Sequence, residues 1–114
     1  MITDQDVAAL KQWAAGNDDH RRAAVGLLIE HDHWLWNDEF AERCVRRFAD
    51  GTVYLDFAEI ERFWHDGCAC SESEAAMLRV IADIGSGRWR ISVMDVRNRD
   101  RLIRAVTVAA GLDR

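Results

Sequence analysis

Helix-start and helix-stop signals divide this chain into short amphipathic segments, and this division constrains the fold most strongly. Thr3 is an N-cap candidate followed by Asp4 and Asp6, which the positive end of a helix dipole favours. Apolar residues then recur every three or four positions as far as Ala14. Gly16 is predicted to end this first helix in a left-handed conformation.

Similar signals predict the later helices. The further N-cap candidates are Asn17 or Asp18, Asp56, Ser71, and Asp95 or Asn98. Ser71 and Glu74 have the spacing of a capping box, in which each residue's side chain bonds the other's backbone N–H. Apolar residues repeat at helical spacing after each of these positions, which is typical of amphipathic helices.

The stretch 37–56 fits two structures. Phe40 and Phe48 belong to a helical repeat of apolar residues, yet Asp50-Gly51 between apolar runs is a strong signal for a β-hairpin with a type I′ turn. We favour the hairpin, with a short helix near 37–42 and strands near 43–48 and 52–55.

Residues 89–93 alternate between polar and apolar side chains, which predicts a short strand that either joins the hairpin or runs extended over the core. Together the segments predict one α+β domain over 1–114, mainly helical, with about five helices and a β-hairpin or small antiparallel sheet. We expect the core to contain Leu27, Leu28, Trp34, Phe48, Leu55, Phe57, Ile60, Trp64, Leu78, Ile81, Leu102 and Val106.

The composition is that of a globular protein. Apolar residues make up 49% of the chain, and no apolar run is long enough to span a bilayer. Residues 1–4 lack the basic start and apolar stretch of a secretory signal. Three cysteines cannot all pair with one another, so reduced thiols fit better than a disulfide framework. We therefore expect a cytoplasmic protein that does not associate with membranes.

Charge is distributed unevenly along the chain. Residues 1–84 carry eight basic and seventeen acidic side chains, whereas residues 85–114 carry seven arginines and three aspartates. Within the basic end, Arg88 and Arg90 flank Trp89, and three further arginines recur at helical spacing: Arg97, Arg101 and Arg104. This set predicts contact with nucleic acid or an acidic protein surface; the alternatives are a solvated helix face and an arginine-rich end folded against its own acidic body.

Histidine and cysteine gather in two stretches about thirty residues apart. The side chains able to bind zinc there are His31, His33, His65, Cys68 and Cys70. Zinc takes four nitrogen or sulfur ligands in a tetrahedron, but structural sites usually separate two cysteines by two to four residues rather than one. We favour interior roles without a cofactor, with His31 and His65 in the last turns of helices, and keep a zinc-stabilised domain as an alternative.

Motifs of known enzyme classes are missing from the sequence. It contains no P-loop, nucleophile elbow or dinucleotide fingerprint. Thiols at helix N-termini ionise more readily, so Cys70 is the first side chain to test for reactivity, with His65 and Asp66 nearby in sequence. We assign no catalytic residue and favour a protein that is not an enzyme, although the sequence leaves this open.

Four features within 34–111 resemble a loose group of small uncharacterised proteins from actinobacteria and their phages. They are Trp34-Leu35 before Phe40, Val53-Tyr54-Leu55-Asp56-Phe57, Ser71-x-Ser73-Glu74 before Met77-Leu78, and Asp95-x-x-Asn98 before Leu102-x-x-Ala105 and Gly111. The resemblance implies an α+β domain and no known activity. The His31/His33 and Cys68/Cys70 pairs lie outside this pattern.

The sequence therefore favours a small interaction or regulatory module that contacts another protein. Catalytic motifs are absent, the charge is uneven, and tryptophan is a favoured interface anchor. Nucleic-acid contact through the arginines is the alternative. Neither the partner nor the oligomeric state follows from the sequence.

Overall fold

The computed structural model describes residues 1–112, which form six α-helices and one two-stranded antiparallel sheet. The helices are α1 (Asp4–Ala15), α2 (Asp19–His31), α3 (Asp38–Cys44), α4 (Phe57–Asp66), α5 (Glu72–Gly85) and α6 (Val96–Ala109). The strands are β1 (Val45–Arg47) and β2 (Val53–Leu55), and single 3₁₀ turns lie at Trp34–Trp36 and Ile91–Val93. The prediction of a mainly helical α+β domain is confirmed.

The helix starts follow the predicted caps. Thr3 Oγ1 accepts a 3.1 Å hydrogen bond from the Asp6 amide, and the Asp6 carboxylate accepts a 3.0 Å bond from the Thr3 amide. Ser71 and Glu74 form the same reciprocal pair at the start of α5. The prediction for Gly16 is wrong, because its φ is −90° and its N–H bonds back to α1 without a left-handed residue.

The hairpin is confirmed, but its turn differs from the prediction. Val45 pairs with Leu55 and Arg47 with Val53. Gly51 has a φ of +90°, whereas Asp50 is not in the left-handed region, so the turn is not type I′. The Gly51 amide donates to the Phe48 carbonyl over 3.1 Å, as in a three-residue loop that ends in a left-handed glycine.

The strand predicted for residues 89–93 is wrong. Residues Ile91–Val93 form a 3₁₀ turn instead, and the sheet in the described part of the chain has two strands. Five alternating residues are a weak strand signal, because a strand also needs a partner strand, and residues 89–93 pair with neither strand of the hairpin.

Three aromatic rings occupy the centre of the core. Trp34, Phe40 and Phe63 are fully buried. The Phe63 ring meets Trp34 at 5.7 Å and Phe40 at 5.5 Å, both nearly edge to face, which is a favoured geometry for aromatic pairs. Helices α2 and α5 pack beside this cluster and contribute Leu28 and Leu78.

Most of the predicted core is buried, but two predicted members are exposed. Phe48 is 56% exposed at the tip of the hairpin, and Val106 is 51% exposed on α6. Leu27, Trp64 and Leu102 are only partly buried. The sequence prediction also missed Leu10, Val25, Phe40, Cys44 and Phe63, which are fully buried.

Helix α6 extends away from the rest of the molecule. None of its residues is buried. The radius of gyration is 14.9 Å, against about 13 Å for a compact domain of this length. Within residues 1–112, no helix combines the length and apolar character that crossing a bilayer requires.

Candidate functional site

Helix α6 presents an apolar face to solvent. Asp95 caps the helix by accepting a 2.8 Å hydrogen bond from the Asn98 amide. Val96, Ile103 and Val106 recur at helical spacing on one face and are 72%, 63% and 51% exposed. Surface helices normally turn such a face towards their own core. The face of α6 therefore lacks the cover that the sequence pattern predicts.

The side of α6 that adjoins Val96 carries three arginines. Arg97, Arg101 and Arg104 lie on it, and all three are exposed. No carboxylate among residues 1–112 lies within ion-pair distance of these arginines; Arg101 instead donates to the Asn98 side chain over 3.0 Å. Because their guanidinium groups are not neutralised by the described part of the chain, they remain available to an external anion.

The segment leading into α6 is fastened to the body at Arg88. Its guanidinium contacts the carboxylates of Glu61 and Asp83, at 3.1 Å for Asp83. The hydrogen bond from Arg88 is the main cause that lowers the pKa of Glu61 below its ordinary value. Arg88 is thus engaged within the fold, unlike Arg90, which is exposed and has no carboxylate partner among residues 1–112.

Trp89 covers a cavity where α6 leaves the body. The cavity measures about 260 Å³ and is lined by His20, Ile84, Trp89, Ile91 and Arg99 among others. Arg99 donates a 3.0 Å hydrogen bond to the Ser92 carbonyl and so ties the first turn of α6 to the preceding segment. Trp89 therefore packs partly against the fold, and 37% of its surface remains exposed.

The histidines and cysteines do not form a metal site. The His31 and His33 rings lie 5.8 Å apart, and His33 Nδ1 lies 3.2 Å from the Glu74 carboxylate. His65 packs against Trp64 and points towards Glu61 at 4.0 Å. Among residues 1–112, no three His, Cys, Asp or Glu side chains are arranged to hold a metal ion. The zinc alternative therefore has no ligand set in this structure.

The predicted enzyme-like group is not assembled. Asp66 accepts a 2.9 Å hydrogen bond from Arg43, and within the described chain neither Asp66 nor His65 bonds to Cys70. Arg43 also binds Glu59, and this bond lowers the pKa of the Glu59 carboxyl. These charged side chains fasten α3 to α4 and supply no base to the thiol.

Residues 67–70, hereafter the thiol loop, contain two cysteines whose thiols lie close together. Cys68 Sγ and Cys70 Sγ are 2.9 Å apart. Burial, the neighbouring thiol and nearby carboxylates raise the pKa of Cys68 to about 11. The third thiol, Cys44, is fully buried, and this burial raises its pKa to about 12.

Sequence reasoning found the residues of α6 but assigned its faces wrongly. The row of arginines was identified correctly. Ile103 and Val106 have the spacing of core residues, although both are exposed. A helical repeat shows that one face is apolar and does not show what covers it. Glu74 was recognised as a cap, but no sequence signal indicated its contact with His33.

Comparison with known proteins gives no relative from which a role could be transferred, because no family model, curated protein or solved structure matches this chain. The resemblance to small actinobacterial and phage proteins stays a prediction.

Proposed function

We propose that this protein is a non-enzymatic, cytoplasmic protein-interaction module and that α6 is its docking element. The observation that carries the proposal is the exposed apolar face formed by Val96, Ile103 and Val106 on a helix that contributes nothing buried to its own domain. Exposed apolar side chains that share one helix face are typical of interaction sites.

The partner that fits α6 is a protein with an apolar groove bordered by carboxylates. An amphipathic helix binds such a groove through side chains repeated at three, four and seven positions. At about 100° per residue, Arg97 and Arg104 lie on the flank of the helix next to Val96, where a groove's rim would meet them, and Arg101 lies farther round the helix. Four arginines and one aspartate make the helix basic, so an acidic rim is complementary to it.

The apolar face should supply most of the affinity. Burying one Ile or Val side chain contributes about 1.5–3 kcal/mol, whereas an exposed ion pair contributes about 0–1 kcal/mol. The arginines would instead orient the partner and speed its association. Substitutions at Ile103 and Val106 are therefore the sharper test.

The experiment compares proteins captured by three forms of the full chain from the same lysate, with quantitative mass spectrometry. The forms are wild type, Ile103→Glu/Val106→Glu, and Phe48→Glu, which changes an exposed apolar residue at the hairpin. Support requires a defined protein that binds wild type and Phe48→Glu but is lost from the α6 variant, and that rebinds as a purified component. Identical sets of proteins from all three forms would contradict the proposal.

Nucleic-acid contact is the second candidate, and the unneutralised arginines of α6 favour it. A fluorescently labelled oligonucleotide titrated with wild type and with Arg97→Gln/Arg101→Gln/Arg104→Gln tests it. Binding through phosphates weakens steeply with salt, and the triple variant should bind at least about tenfold more weakly. Affinity that does not respond to salt, or that is equal in the two proteins, would eliminate this candidate.

A further inference from the structure

The thiol loop joins α4 to α5 and brings two cysteines together. Gly67 follows α4 with a φ of +79°, and the chain bends at Ala69 between the two cysteines. This path leaves Cys68 Sγ and Cys70 Sγ 2.9 Å apart. A disulfide bond is about 2.05 Å long, so the sulfurs need to approach by less than about 1 Å to bond.

We propose that Cys68 and Cys70 form a reversible intramolecular disulfide, a redox site that exchanges two electrons with low-molecular-weight thiols and disulfides. The proposal does not depend on the role of α6. It assigns an activity to a cysteine pair that the interaction proposal leaves unused.

The loop is accessible to such a reagent. Gly67 and Ala69 are exposed, and the two cysteines are half-buried against the edge of the core. Cys44, the last residue of α3, is in contrast fully buried. A small disulfide therefore reaches the loop thiols in the folded protein and does not reach Cys44.

The reaction proceeds by thiol–disulfide exchange. The Cys70 thiolate attacks one sulfur of the small disulfide, whose S–S bond breaks and releases one small thiol. Cys68 Sγ then attacks Cys70 Sγ, and the second small thiol leaves with the Cys68 proton. Two protein thiols and one small disulfide become one protein disulfide and two small thiols, so the protein loses two electrons and two protons and the reagent gains both.

The surroundings set the order of attack. Burial, Cys70, and the carboxylates of Glu39 and Glu74 hold the pKa of Cys68 at about 11, so this thiol keeps its proton at neutral pH. We therefore assign the first attack to Cys70, which directly precedes Ser71, the N-cap of α5. Cys68 is the resolving thiol, since its sulfur is already in contact with the sulfur it must attack.

The site also lies against the start of α5. Ser71 directly follows Cys70 and forms the capping box with Glu74, whose carboxylate contacts His33 at 3.2 Å. Closing the disulfide restrains the backbone that enters this cap. The oxidised and reduced forms should therefore differ in the environment of His33.

The test equilibrates the full-length protein with graded ratios of reduced and oxidised glutathione, followed by acid quenching, alkylation and intact mass spectrometry. We expect a species lighter by two hydrogen atoms and free of glutathione. Its proportion should follow a two-electron dependence on the glutathione ratio and should not change with protein concentration. Peptide mapping should place the bond between Cys68 and Cys70, with Cys44 still reduced.

Single variants test whether the two loop thiols bond to each other. Cys68→Ser should accumulate a mixed disulfide with glutathione on Cys70, because no resolving thiol remains. Cys70→Ser should likewise form no internal bond, and any mixed disulfide with glutathione should be on Cys68. Cys44→Ala is the matched control and should form the loop disulfide as wild type does.

Wild-type protein provides the decisive outcome, so the proposal does not depend on how well a variant folds. Accumulation of glutathione adducts on wild type without an internal bond would overturn the proposal. Oxidation that appears only in denaturant, or a bond that includes Cys44, would do the same.

Discussion

The indole nitrogen of Trp34 donates a 3.2 Å hydrogen bond to the main-chain carbonyl of Glu74, a residue forty positions later. The indole of Trp64 donates to the next carbonyl, that of Ala75, over 3.1 Å. Two tryptophans from different elements thus bind adjacent carbonyls in the first turn of α5. Both hydrogen bonds anchor this turn to the rest of the fold, and the turn directly follows the thiol loop.

Replacing Trp34 with Phe should destabilise the protein. The change removes the bond to Glu74 and leaves a void in a fully buried site, and we expect a loss of about 1–3 kcal/mol in the free energy of unfolding. Trp36→Phe is the matched control, because that indole bonds to Asp32 at an exposed position; its effect should stay within about 0.5 kcal/mol. Urea unfolding measures both, and equal effects would show that the Trp34 contact is unimportant.

Replacing each of two glycines with alanine should change the stability of the protein in opposite directions. A Cβ at Gly85 would overlap the ring of Phe57, so Gly85→Ala should cost about 1–3 kcal/mol of stability. A Cβ at Gly26 meets nothing within 4 Å in the interior of α2, and Gly26→Ala should stabilise by about 0.5–1 kcal/mol. Thermal unfolding of the pair checks this, and a gain of stability at Gly85 would refute the packing described here.

Asp6 makes stability depend on pH. Its hydrogen bond with Arg47, with Nη2 3.0 Å from Oδ2, is the main cause that lowers the pKa of Asp6 from 3.8 to about 2. A carboxyl with a lowered pKa stabilises the fold fully above its unfolded value and loses this effect as the pH falls to the folded value. Asp6→Asn should therefore be less stable than wild type by about 1 kcal/mol at neutral pH.

The difference between Asp6→Asn and wild type should shrink as the pH falls below the unfolded pKa of 3.8 and be lost once the pH is below the folded pKa of about 2. Chemical unfolding of both proteins across this pH range measures it. A difference that stays constant with pH would mean that the Asp6 carboxylate is not the cause.

The α6 variant used in the capture experiment should be as stable as wild type. Because Ile103 and Val106 are exposed, Ile103→Glu/Val106→Glu should change the free energy of unfolding by no more than about 0.5 kcal/mol. Leu28→Ala, at a fully buried position, should cost about 2–5 kcal/mol. Marked destabilisation of the α6 variant would show that α6 packs on its own body in solution.

Local signals explain what the sequence predicted correctly. The caps at Thr3, Ser71 and Asp95 depend on residues three positions apart, and the hairpin depends on one glycine that tolerates positive φ. Such signals are complete within a short window of sequence. The helices and the hairpin could therefore be found without knowledge of the tertiary fold.

Long-range relationships explain what the sequence did not predict. Whether Val106 meets a core or solvent depends on where α6 is directed after residues 86–95, and the helical repeat is the same in both cases. The contact of Cys68 with Cys70 depends on a bend at Ala69 that no turn signal marks. Candidate site residues could be named, but their partners could not.

The position of α6 outside the core affects its stability as a helix as well as its availability to a partner. A helix of 14 residues is close to the length below which isolated helices are marginal in water, about 12–15 residues, and β-branched residues at Val106, Thr107 and Val108 lower its propensity further. Because its own body covers little of it, α6 depends for its helicity mainly on the Asp95 cap and on its own propensity. A partner that covers its apolar face would order the segment as it binds, so substitutions that alter helicity alone would tune affinity without touching the interface.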